Sequence, residues 1–295
     1  MVDLILCEYG PPLEPGDALD PVVARGPRVL LNAGLIPSLS AAGVRVFDVS
    51  LVPEADCGSL QRKDLLEHVS ARLASRVAAS IAAGHFPITL GDCTAAIGVC
   101  AGMRRLEGRR AVVWVDAHAD LNSEDSSLTG FYGGMPLGAL IGKSLPWLAA
   151  ELRMTRFCDE ENVSVVGVRS LDPYEGDYLN RSPMARVECA ELEGDASTEA
   201  LARISRSLGE AGPVYLHVDV DALDPAIMPA VTFPCPGGLT LESLLVAVRV
   251  AASTGRVAAV TVASFNPGKG VSAGVLGVLV SLVCEVASLC SSAGR

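Results

Sequence analysis

Apolar residues along the chain fall into two alternating kinds of run. Short runs rich in Val, Ile, Leu and Ala predict strands at Asp3–Glu8, Val44–Val49, Phe86–Leu90, Ala111–Val115, Val163–Val168, Val214–Val220 and Val257–Val262. Between them, apolar positions recur at helical spacing over Gly26–Ala42, Lys63–Ala83, Thr94–Arg105, Ser197–Ala211, Leu241–Ser253 and Val271–Ser291. Strand–helix alternation without a long linker, repeat or low-complexity segment predicts one α/β domain over residues 1–295: a three-layer sandwich around a central, mostly parallel sheet. Near-continuous apolar strands are what a sheet covered on both faces requires.

Two of these strands end in charge. AVVWVDAHAD, Ala111 to Asp120, runs apolar and then sets Asp116, His118 and Asp120 at every second position. Alternate strand residues share a face, so the three side chains converge. VYLHVDVDALDP, Val214 to Pro225, repeats the design with His217, Asp219 and Asp221. Carboxylates and imidazoles meeting at the end of buried strands are costly unless a cation holds them, and two such strands side by side supply a two-metal site. The competing reading, a frayed polar strand end, explains three ionisable groups at i, i+2 and i+4 poorly. Asp224-Pro225 reads as a turn.

A third strand, HFPITLGDC, leads to Cys93 at a helix start, where the helix N-terminus is expected to lower the thiol pKa and favour metal binding. An inert helix-start cysteine is the alternative. His217 is read as a supporting group or proton carrier, against a satisfied core histidine. Asn122–Gly134 is read as a lid or pocket wall, against a solvated loop. PPLEPGDALDP reads as a Pro-rich loop.

Composition narrows the partners. The chain has 295 residues, half of them hydrophobic, and a net charge of −11 without a basic block, which argues against nucleic acid and anionic membranes. Nine cysteines at irregular spacing, with Cys7, Cys100, Cys284 and Cys290 inside apolar runs, argue for free core thiols and a cytoplasmic location. Val271–Cys290 is the most apolar stretch and is expected to be a buried helix, because Glu285 and several Ser and Gly interrupt it.

In order, LGDC, DAHAD and HVDVDALDP resemble the metal-binding signature of the ureohydrolase superfamily of arginases and agmatinases, over about Phe86 to Pro267. The resemblance implies an α/β fold and two divalent ions, manganese first. One ion would take Cys93, Asp116, Asp120 and Asp219. The other would take His118, Asp116, Asp219 and Asp221. It further implies metal-assisted hydrolysis: an acidified water, oriented by Asp120, attacks an amidino carbon, and the C–N bond breaks to release urea or a relative. Homo-trimers or hexamers are common in the family.

Departures from that pattern reshape the expectation. Cys93 stands where the family normally has histidine; a group resembling N-omega-hydroxyarginine hydrolases shares it, together with Thr129–Met135 and His217. Four aspartates and a thiolate carry −5 against +4 from two divalent ions, and soft sulfur leans the site towards zinc or iron. Gly133, Phe233 and Ser264 replace a histidine proton shuttle, a threonine near the guanidinium and a guanidinium-binding glutamate. Phe131 replaces an asparagine. Asn122, Thr129, Asp172 and Glu175 retain the pattern that contacts an amino-acid tail, although Asp172-Pro173 equally suits a turn or helix cap. The expected substrate is small, with a polar amine or amino-acid tail and a head less cationic than guanidinium, such as an N-hydroxyguanidine. The rivals are arginase or agmatinase activity proper and a non-catalytic metal- or ligand-binding protein of the same fold.

Overall fold

A computed structural model describes residues 1–13, 20–52, 60–193, 198–210 and 212–292. Part of the Pro-rich loop (residues 14–19) and the ends of one expected helix (Ser197, Ala211) lie outside these residues. The elements run β1 (Val2–Cys7), α1 (Gly26–Asn32), α2 (Leu35–Ala41), β2 (Val46–Val52), α3 (Arg62–Ala82), β3 (Phe86–Gly91), α4 (Ala95–Met103), β4 (Ala111–Val115), α5 (Pro136–Leu140), α6 (Pro146–Glu151), β5 (Val163–Val166), α7 (Pro173–Leu179), β6 (Ala185–Val187), α8 (Thr198–Leu208), β7 (Val214–Asp219), α9 (Leu241–Ser253), β8 (Val257–Ala263) and α10 (Ala273–Ser292).

The strands form one eight-stranded sheet in the order β2-β1-β3-β8-β7-β4-β5-β6. Every pairing is parallel, so the sheet is fully parallel, a step beyond the mostly parallel expectation. Strand parity sorts side chains into two layers. Ala111, Val113, Val115, Val214, Leu216 and Val218 face the layer of α1, α2, α8, α9 and α10. Val112, Trp114 and Tyr215 face the layer of α3, α4, α5 and α6. The residues that end β4 and β7 in charge share the second parity, so the site opens above that layer.

Two local features shape the helices. Gly34 has φ +92°, a left-handed conformation that L residues resist, and it breaks the single helix expected over Gly26–Ala42 into α1 and α2. In α4, Gly98 and Gly102 let α3 lie unusually close: a Cβ at either would sit 2.7 or 2.6 Å from the Cβ of Leu73 or Val77. That seam fixes α4, which follows Cys93, against α3. Gly167 (φ +84°) ends β5 two residues before the expected Val168. The three-residue β6 was not legible, because ARV carries no apolar run. α10 buries one face (Val275, Leu279, Leu282, Val283, Val286) and leaves Gly274, Gly277, Ser281 and Glu285 exposed, so the buried-helix expectation holds for half its surface. By length and composition α10 is also apolar enough to cross a membrane.

Candidate metal centre

β3 and β4 follow each other in the chain but are separated in the sheet by β8 and β7. The carboxyl ends of β3, β8, β7 and β4 thus meet in a row, the position where α/β sheets bind ligands. A cavity of about 240 Å3 sits there, lined by Cys93, Asp116, His118, Asp120, Asn122, Thr129, Phe131, Asp172, Glu175, Asp219, Asp221, Phe233 and Ser264, among others. Every substrate-binding and metal-ligating residue expected from the sequence is at this cavity. His217 is not part of the lining.

The donor atoms gather in two groups that share Asp116. Cys93, Asp116, His217 and Asp219 offer ligand atoms within 4.8 Å of one another, and so do Asp116, His118 and Asp221. His118 Nδ1 lies 3.1 Å from Asp221 Oδ2 and 3.5 Å from Asp116 Oδ1. Cys93 Sγ donates to Asp219 Oδ2 at 2.8 Å, and the Ser264 hydroxyl donates to the same oxygen. The backbone pre-shapes both segments: His118 N donates to Asp116 Oδ1, Asp221 N to Asp219 Oδ1, and Ala117 N to Asp221 Oδ1. Trp114 Nε1 donates to Asp116 Oδ2 at 3.0 Å.

Asp120 belongs to neither group. It is 4% exposed, has φ +51°, and its Oδ2 is buried without a hydrogen-bond partner. A non-glycine residue held in left-handed backbone stores strain, a common feature of functional positions.

Electrostatics separate the two groups. Burial, then Asp219 and the other nearby carboxylates, push the Cys93 thiol well above its ordinary value. This reverses the lowering expected from the helix N-terminus: desolvation and four negative neighbours outweigh one helix end. Burial also raises Asp116, Asp120 and Asp219, with further increments from neighbouring aspartates. Burial works against a charge on His118, but the hydrogen bonds to Asp116 and Asp221 outweigh it and raise the imidazole; the same contact holds Asp221 low despite its burial. Buried carboxylates crowded to this degree, beside the unpartnered Asp120 Oδ2 and His217 Nε2, suit divalent cations: sulfur, imidazole and carboxylate donors around one point, carboxylates and imidazole around the next.

The amino-acid-tail positions are tied into the scaffold. Glu175 accepts from Leu121 N (2.9 Å) and Asp172 N (3.0 Å), one carboxylate oxygen each. Asp172 and Glu175 form the capping box that starts α7, and Asn122 Nδ2 donates to Asp172 Oδ2. The cap reading of Asp172-Pro173 therefore holds, while both acids still line the cavity. Phe233 is 44% exposed at the mouth and packs edge-on with His118 and Phe131. The segment from Asn122 to Gly134 does form cavity wall, through Asn122, Ser127, Thr129, Phe131, Gly133 and Gly134.

Sequence reading missed three supports. Trp114 and Tyr215 stand two residues before Asp116 and His217, so strand parity could have flagged both. The Arg169 guanidinium donates to the carbonyls of Gly167, Asp221, Ala222, Leu223, Cys235 and Pro236, while its own N–H bonds Ala117 O. It links both metal-binding segments to the Phe233 loop, and no periodicity signals that role.

Comparison with known proteins agrees with this geometry. The sequence model of the Arginase family matches residues 9–287. The arginase of Bacillus subtilis (strain 168) is 29% identical over 273 residues, covering 90% of this chain and 92% of that protein. The crystal structure of B. subtilis arginase superposes with a TM-score of 0.84 at 28% identity, and that of Bacillus caldovelox arginase with 0.85 at 26%; each covers 97% of both chains. With its fully parallel sheet, its shared carboxylate centre and this match over nearly the whole length, the chain belongs to the arginase family.

Proposed function

We propose that this arginase-family hydrolase cleaves the linear C–N bond of a small amidino compound whose head is less cationic than guanidinium, of the N-hydroxyguanidine type, and whose tail carries an amine or amino-acid group. The observation that carries the reading is Ser264. At the cavity wall beside Cys93 and Asp219 stands a hydroxyl already spent on Asp219, with Phe131 and Phe233 nearby and no carboxylate at that position. A buried guanidinium there would lack a charge-assisted partner. A hydroxylated, weakly basic head would not need one.

Cys93, Asp116 and Asp219 would hold one divalent ion, and Asp116, His118 and Asp221 the other. When bound, two such ions supply Lewis-acid polarisation and acidify water at neutral pH. Asp120, with its free buried oxygen at the cavity, orients the attacking water and accepts its proton. The water oxygen bonds to the amidino carbon, the C–N bond breaks, and the proton passes to the leaving amine. Asn122 and Thr129 meet the polar tail, with Asp172 and Glu175 fixing the loop that presents it. Phe131 and Phe233 exclude bulk water from the mouth. The eight free cysteines among the described residues suit a reducing, cytoplasmic setting.

The test is a product assay. The metal-loaded chain is offered arginine, N-hydroxyarginine, agmatine and guanidinobutyrate, and urea and hydroxyurea are quantified. Hydroxyurea release with N-hydroxyarginine, at a kcat/KM well above that for arginine, is expected. Preference for arginine or agmatine would move the reading to arginase or agmatinase proper. No turnover despite bound metal would leave a ligand-binding protein of the same fold.

A further inference from the structure

His217 is fully buried, and one side of its ring has no protein partner. Trp114 stacks flat on it, with ring centroids 3.7 Å apart and planes 11° from parallel. Its Nδ1 lies 3.2 Å from the Tyr215 hydroxyl. That hydroxyl donates its only hydrogen to Thr261 Oγ1 at 2.8 Å, so towards His217 it accepts. The proton of the neutral imidazole therefore sits on Nδ1, and Nε2 presents a bare lone pair. Nε2 is buried without a hydrogen-bond partner, and the nearest acidic oxygen is Asp116 Oδ2 at 4.0 Å. That oxygen already receives the Trp114 N–H, and at 4.0 Å it lies beyond hydrogen-bond distance of Nε2. A lone pair facing a carboxylate in a dry site is unfavourable unless a cation lies between them. Cys93 Sγ and Asp219 complete the surround.

We propose that His217 Nε2 is a ligand of the cation held by Cys93, Asp116 and Asp219, and that the centre is a mixed-metal one. Thiolate and imidazole at this position select a zinc-class ion, whereas the carboxylate-rich Asp116–His118–Asp221 position takes a harder, manganese-class ion. Asp116 belongs to both. With Nε2 given to the cation, His217 would serve as a ligand rather than a proton carrier, in keeping with its absence from the cavity lining. Tyr215 and Thr261 are its positioning residues, fixing the tautomer as second partners of metal-bound histidines do. The inference rests on the metal-centre reading of this site but not on the substrate.

The experiment loads chelator-stripped protein with equimolar zinc and manganese and counts each metal per chain by elemental analysis, for the wild type, His217→Asn and Tyr215→Phe. Cobalt titration follows the thiolate-to-cobalt absorption in the near ultraviolet, which reports Cys93 binding. The wild type is expected to hold one zinc and one manganese. Tyr215→Phe should lose about 10- to 100-fold in zinc affinity and His217→Asn more, each with an altered cobalt spectrum and with manganese retained. A folded His217→Asn with wild-type zinc affinity and spectrum overturns the ligand assignment. If that variant does not fold, unchanged zinc affinity in Tyr215→Phe overturns it instead. Two manganese ions in the wild type, with zinc excluded, overturn the mixed-metal assignment. A centre loaded as expected that turns over no amidine would sink the hydrolase reading and leave His217 a ligand.

Discussion

The ring of Phe131 fills the volume next to Gly133: a Cβ on Gly133 would lie 2.2 Å from Phe131 Cε1 and 2.5 Å from Cζ. The two positions therefore act as a pair. The missing side chain at 133 is what lets the ring turn inward and stack edge-on with Phe233, 5.6 Å away between centroids. Gly133→Ala should evict the ring, lower thermal stability and raise KM for the amidino substrate. Adding Phe131→Ala should recover part of the stability loss, with a coupling of about 0.5–3 kcal/mol in a double-mutant cycle. Additive losses would show that the ring and the glycine are independent.

Among the described residues, Asp120 carries the one cavity carboxylate oxygen that is buried and unpartnered. Asp120→Asn keeps its shape and removes its basicity. The expected loss in kcat is about 10^2- to 10^4-fold, with KM little changed and both metals still bound, as read by steady-state kinetics and metal analysis. Loss of a metal equivalent would instead make Asp120 a ligand.

Glu175 spends both oxygens on backbone N–H groups, that of Leu121 just after the DAHAD segment and that of Asp172 at the α7 cap. Burial raises its carboxyl pKa, which those two bonds oppose. Glu175→Gln turns one acceptor into a donor facing an N–H, so stability should fall by about 1–3 kcal/mol in denaturant melts. An unchanged midpoint with a higher KM would assign Glu175 to the substrate alone.

Arg169 binds six carbonyl groups across three segments, and Gly238 leaves it room, since a Cβ there would sit 2.7 Å from Nη2. A lysine ammonium cannot match the planar fork. Arg169→Lys should cost about 2–4 kcal/mol and weaken metal binding at Asp221, whose carbonyl the guanidinium holds. Unfolding midpoints and manganese affinity that both match the wild type would count against this.

Cys93→His replaces sulfur by nitrogen at the first position. Metal preference should move towards manganese, read as the zinc-to-manganese ratio after competitive loading. An unchanged ratio would remove Cys93 from the ligand set. Stripping the metals from the wild type should lower its melting temperature, because ions that bind only the folded state stabilise it.

What the sequence alone determined is periodic. Alternation of strand and helix runs fixed the α/β class. Period-2 placement put Asp116, His118 and Asp120 at one strand end and Asp219 and Asp221 at another; these are local facts, because a strand's side chains alternate whatever lies beside it. The bounds of β4 and α9 were legible to the residue. Tertiary structure decided what depends on neighbours distant in the chain. β8 and β7 insert between β3 and β4, so Cys93 and Ser264 meet Asp219. Desolvation among carboxylates raised a thiol that its helix end alone would have lowered. The free nitrogen of His217 depends on three adjacent strands: Trp114 covers the ring face, and Tyr215, its hydrogen held by Thr261, takes Nδ1. Burial and the direction of a lone pair belong to packing, and no one-dimensional pattern records them.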